Sequence, residues 1–107
     1  MVDDFFKYRY GWEKFHGAVH SLSGEGTILE RLENAYVFHI IHLRKENDIP
    51  IELHEQFDEV VSLMTNADAP EGRVNAAVRA MDQMTRSRVI ENIISLYDSL
   101  CRYMPKH

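Results

Sequence analysis

Six histidines, at positions 16, 20, 39, 42, 54 and 107, are the side chains of this chain best suited to site chemistry. His16 and His20 are spaced i,i+4, which on a helix sets both rings on one face, as in two-histidine metal pairs. Glu13 lies one turn earlier and completes a single Glu-x-x-His pattern. Di-iron bundles need two such motifs and two further glutamates. One motif is present, so a dinuclear centre is not expected.

His39 and His42 are spaced i,i+3 and fall, on a helical wheel, on the same face as Ile28, Leu32, Ala35 and Leu43. In an antiparallel hairpin about Gly24 and Glu25, His39 lies opposite Trp12 and Glu13. His16 is then about five residues away along the axis, roughly 7.5 Å at about 1.5 Å per residue. That is too far for all four rings to reach one ion through bonds of about 2.0–2.1 Å. Glu13, His39 and His42 are the expected trio for a single divalent transition metal, with His16 and His20 nearby. That metal site is the alternative reading; the first expectation is a protein without a cofactor. Histidines in helical cores commonly satisfy one ring nitrogen and pack the rest of the ring. A proton-linked switch is a third reading, since imidazole titrates near pH 6.5 and charging buried rings is destabilising.

These residues must be positioned by helices. An aromatic amino-terminal arm with Phe5, Phe6, Tyr8 and Tyr10 ends at Gly11. A first helix over about 12–22 carries Trp12, Phe15, Val19 and Leu22 on one stripe. Ser23-Gly24-Glu25-Gly26 breaks it, and Thr27 with Glu30 forms a capping box for a second helix over about 27–43. The first half of that helix is amphipathic, with Glu30, Arg31, Glu33 and Asn34 outward. Its second half, Ala35 to Leu43, is apolar on nearly every side and must be sheltered by other helices or a partner chain. After the loop Arg44–Asp48, Pro50 opens a third helix over about 50–65. Its stripe is Leu53, Phe57, Val60, Val61 and Met64, backed by Glu52, Glu55, Asp58 and Glu59. Asp68, Pro70 and Glu71 signal a short fourth helix over about 70–81. Asp82 caps a fifth over about 83–103, whose broad apolar face can serve two neighbours. Alternating strand patterns are absent. The expected architecture is a single all-α domain, a compact bundle of four main helices and one short one with an aromatic arm.

Other chemistry finds little footing. Cys101 lies on the apolar face of the fifth helix, where a buried thiol behaves as a small hydrophobe. No serine has a Gly-x-Ser-x-Gly context, and Gly24-Glu25-Gly26 is no phosphate cradle. Catalytic activity is not expected. Residues 75–94 join two helices by a tight turn and carry Arg79, Arg86 and Arg88, the one stretch suggesting a helix-turn-helix. Ser87, Arg88 and Glu91 would face the major groove. A formal charge of -5 over 107 residues opposes it, because phosphate affinity comes mainly from Lys and Arg.

The charge is uneven. Residues 1–70 hold 13 acids against 6 Lys and Arg, and residues 71–107 hold 4 against 6, so the halves are expected to complement one another. A lone cysteine suits a reducing compartment. The amino terminus lacks a signal-like leader, and no run reaches the roughly 18–20 apolar residues of a membrane span. A cytoplasmic protein is expected.

Surface apolarity remains. Four aromatics lie in the first ten residues, and Val37 and Ile41 point away from the main stripe of the second helix. The sequence thus points to an interaction or regulatory module that contacts a protein partner or a second copy. Its expected contact residues are Phe5, Phe6, Tyr8, Tyr10, Val37, Phe38 and Ile41.

Overall fold

Local capping chemistry sets the helix starts. Thr27 Oγ1 accepts from the Glu30 amide at 3.1 Å, and the Glu30 carboxylate accepts from the Thr27 amide at 3.2 Å, the reciprocal box expected. Asp82 Oδ1 accepts from the Thr85 amide at 2.7 Å and starts the last helix, as expected. The Thr85 amide also holds the Asp82 carboxyl below its ordinary pKa.

The computed structural model describes residues 2–67 and 72–105, with side chains from Phe6 onward. It contains six α-helices among the described residues: α1 Val2–Leu22, α2 Ile28–Phe38, α3 Lys45–Asp48, α4 His54–Thr65, α5 Arg73–Ala80 and α6 Gln83–Cys101. Two 3-10 turns, Ile40–His42 and Ile51–Leu53, lie between α2 and α4. No strand occurs among these residues. The all-α reading holds.

Helix α1 packs on both α2 and α6, α2 also meets α5, and α4 bridges α5 and α6. Their shared core takes Phe15, Ala18 and Leu22 from α1, Leu32, Ala35 and Tyr36 from α2, and Phe57, Val60 and Met64 from α4. Helix α6 adds Val89, Ile93, Leu96 and Leu100, all fully buried. Burying a side chain of this size contributes roughly 1.5–3 kcal/mol, so these rows define the interior.

Three expectations are corrected. The aromatic arm is the first part of α1, which runs unbroken through Gly11. Gly11 does not end the helix. It is buried where the Asp48 carbonyl of α3 comes closer than any Cβ would permit, so the missing side chain serves a close approach. Helix two stops at Phe38, five residues early. His39 leaves helical geometry at φ -130°, ψ -67°, and a 3-10 turn follows. This bend spares the apolar stretch from needing shelter on every side: it turns Ile40 and Leu43 inward and leaves Phe38 and Ile41 outside. The loop at 44–48 is mostly the short helix α3, and Asp48 Oδ2 accepts from the amide of Arg44, the residue just before it, at 2.9 Å.

The expected start of the fourth helix at Asp68, Pro70 and Glu71 lies outside the described residues. Within them, Gly72 precedes α5 in the left-handed region at φ 70°, a conformation glycine adopts without a Cβ penalty. The outer face assigned to α2 is also partly covered. Arg31 Nη1 donates to the Leu22 carbonyl at 2.8 Å, satisfying a free carbonyl near the end of α1. Glu33 accepts from Asn75 of α5 at 2.7 Å.

Candidate functional site

Helix α1 presents three working rows. Gly11, Phe15, Ala18 and Leu22 form the buried one. Trp12, His16 and His20, each four residues from the next, form a second row, of which Trp12 and His16 meet α6. Gly17 and Ser21, also four apart, face the turn after α2. Adjacent residues on a helix diverge by about 100°, so His16 and Gly17 serve different neighbours.

His39 docks on the Gly17–Ser21 row. Its Nε2 is 3.1 Å from Ser21 Oγ, and a Cβ at residue 17 would come within 2.5 Å of its Nδ1. Burial, and then the charges of Lys14 and His42, hold this imidazole below its ordinary pKa of 6.5. The hairpin register therefore differs from expectation. His39 lies beside Gly17 and Ser21, well past Trp12 and Glu13, because only the residue without a side chain accepts the ring.

The second constellation is a seam between α1 and α6. The His16 ring stacks on Trp12 with centroids 5.0 Å apart and planes 21° apart. Its Nδ1 is 3.0 Å from the Tyr97 hydroxyl. The His20 ring follows at 4.5 Å from His16, centroid to centroid. Below them, Trp12 Nε1 donates to Cys101 Sγ at 3.3 Å. Burial raises the Tyr97 pKa, and the neighbouring Cys101 thiol adds to the rise. From sequence, Cys101 reads only as a buried thiol on the apolar face of the last helix, and Tyr97 has no site role. Their i,i+4 spacing on α6, matching that of Trp12, His16 and His20, is the signal that marks them.

The expected metal trio is not assembled. Glu13 accepts from Arg9 Nε at 3.0 Å on an exposed face, and His39 is taken up by Ser21. Among the described residues, no three His, Cys, Asp or Glu side chains are grouped to hold an ion. His54 has the satisfied-nitrogen role anticipated for histidines: Nε2 donates to the Ile49 carbonyl at 2.7 Å. In the stretch weighed as a helix-turn-helix, Arg88 pairs with Glu59 of α4 at 2.6 Å and Arg79 donates to Asn75 at 3.0 Å. Arg88 is thus held toward the acidic face of α4, as the charge complementarity of the two halves implied.

The expected contact residues separate into two groups. Tyr8 packs edge-on against Tyr103 at 5.4 Å, and Val37 is half-buried. Phe6, Tyr10, Phe38 and Ile41 remain exposed, at 66%, 44%, 61% and 50%. The Phe5 side chain lies outside the described residues. A cleft of about 310 Å³ between α2 and α5 is lined by Thr27, Leu29, Glu33, Asn75 and Val78. Its polar groups are engaged in the α2 cap and the Glu33–Asn75 bond. No helix among the described residues is long and apolar enough to cross a membrane. Comparison of the chain with known protein families, with characterised proteins and with solved structures finds no match.

Proposed function

We propose that this chain is a cytoplasmic interaction module, without catalytic activity of its own, that docks another protein chain on the turn between α2 and α3. One observation carries the reading. Phe38 and Ile41 stand exposed on either side of Ile40, which is 1% exposed, so a buried residue anchors the turn that displays them. His39 fixes the same turn from below through Ser21. An anchored turn presents apolar side chains with little ordering cost on binding. Covering each would contribute roughly 1.5–3 kcal/mol. Ile51, Met84 and Ile94 are exposed too, but on other elements, and single exposed apolar residues are normal on soluble proteins.

A photoreactive residue at position 38 tests the reading, with yields compared between the unmodified background, Ile41→Glu, and the remote control Met84→Glu. The purified chain is assayed for self-association and the cell for other partners. Protein adducts at position 38 should fall sharply with Ile41→Glu and persist with Met84→Glu. Equal yields in all three backgrounds, or no protein adduct in either setting, would sink it.

A further inference from the structure

We infer that His16 and His20 form an open chelating site for one late first-row divalent metal ion, independent of the proposed docking turn. The spacing of the two rings carries the inference. An ion lying in the plane of an imidazole at about 2.1 Å from its nitrogen is about 3.2 Å from the ring centroid. Two rings bound at a right angle then have centroids about 4.5 Å apart, and two bound at the tetrahedral angle about 5.2 Å. The His16 and His20 centroids are 4.5 Å apart, with ring planes at 59°.

The surroundings of His16 prepare it as a ligand. Its Nδ1 is engaged by Tyr97 at 3.0 Å, which leaves Nε2 as the nitrogen for a metal. Metal-binding histidines nearly always donate their other N–H to an oxygen partner, which fixes tautomer and orientation. In that tautomer His16 Nδ1–H donates to the Tyr97 oxygen. The Trp12 stack holds the ring plane. His20 is exposed on the solvent side of the pair, so an ion can enter without opening the core. Two nitrogens leave the remaining coordination positions to water or an incoming ligand, and imidazole donors select zinc, nickel and copper over magnesium or calcium.

Titration of the full chain with zinc chloride, followed by calorimetry and by the 15N shifts of the imidazoles, tests the site. Wild type should bind one zinc ion and shift His16 Nε2 and one nitrogen of His20. His20→Ala, at an exposed position, should weaken binding at least about tenfold. Tyr97→Phe should weaken it by about 10–100-fold, the usual effect of losing such a supporting partner. His42→Ala and Cys101→Ser should bind as wild type does. Absence of binding, wild-type affinity in His20→Ala or in Tyr97→Phe, or loss of binding in Cys101→Ser would overturn the assignment.

Discussion

Gly17 and the imidazole of His39 are in such close contact that any side chain at position 17 must displace the ring. The ring is also held by Ser21, so it has little freedom to yield. Gly17→Ala should therefore destabilise the fold by about 1–3 kcal/mol, the usual cost of overpacking, although alanine favours helix over glycine. Removing the ring in Gly17→Ala/His39→Ala should recover part of the loss. Denaturant unfolding of the two single variants and the double variant measures it, and simple additivity would contradict the contact.

The same imidazole makes stability depend on pH. Its folded-state pKa lies below 6.5, through burial and the neighbouring Lys14 and His42 charges. The unfolded chain therefore takes up the proton first as pH falls. The stabilising contribution is complete above 6.5 and is lost progressively below it, down to the folded-state pKa. Urea midpoints between pH 7.5 and 5 should decline more steeply for wild type than for His39→Gln. Parallel declines would remove His39 from the account.

The capping box at α2 makes a separate forecast. Thr27→Ala removes the acceptor for the Glu30 amide and should cost about 1 kcal/mol. Because Glu30 answers the same cap, Thr27→Ala/Glu30→Ala should cost less than the sum of the single changes. Thermal unfolding of the three variants resolves this.

The rotation of α6 can be checked with two residues two positions apart. Leu96 is fully buried and Ile94 is 48% exposed. Leu96→Ala should lower stability by about 2–5 kcal/mol. Ile94→Ala should stay well below that, since half of its side chain already meets water. Comparable losses would mean that α6 is rotated from its described position.

Much of the helix pattern was legible in the residues themselves. Thr27 with Glu30, and Asp82 before α6, are local devices whose hydrogen bonds close within a few residues, so no distant contact can reassign them. The apolar rows of α4 and α6 were legible for the same reason: periodicity is a property of the segment. One ion pair, Arg88 with Glu59, joins the basic half to the acidic one.

What the sequence left undecided depends on what comes close to what. Gly11 reads as a helix boundary, yet it lies inside α1, where the Asp48 carbonyl occupies the space a side chain would fill, and His39 fills the same space at Gly17. The end of α2 was equally hidden. Apolar residues continue past Phe38, and only the docking of His39 on α1 bends the chain there. The candidate site follows the same division. The i,i+4 spacing of His16 and His20 was visible in the chain, whereas the trio with Glu13 dissolved once His39 found its place further along α1, at Gly17 and Ser21. Tyr97, supplied by a helix 81 positions further along, could join His16 only through tertiary packing. Spacing along a helix fixes which side chains share a face, and the packing of one helix on another decides which faces meet.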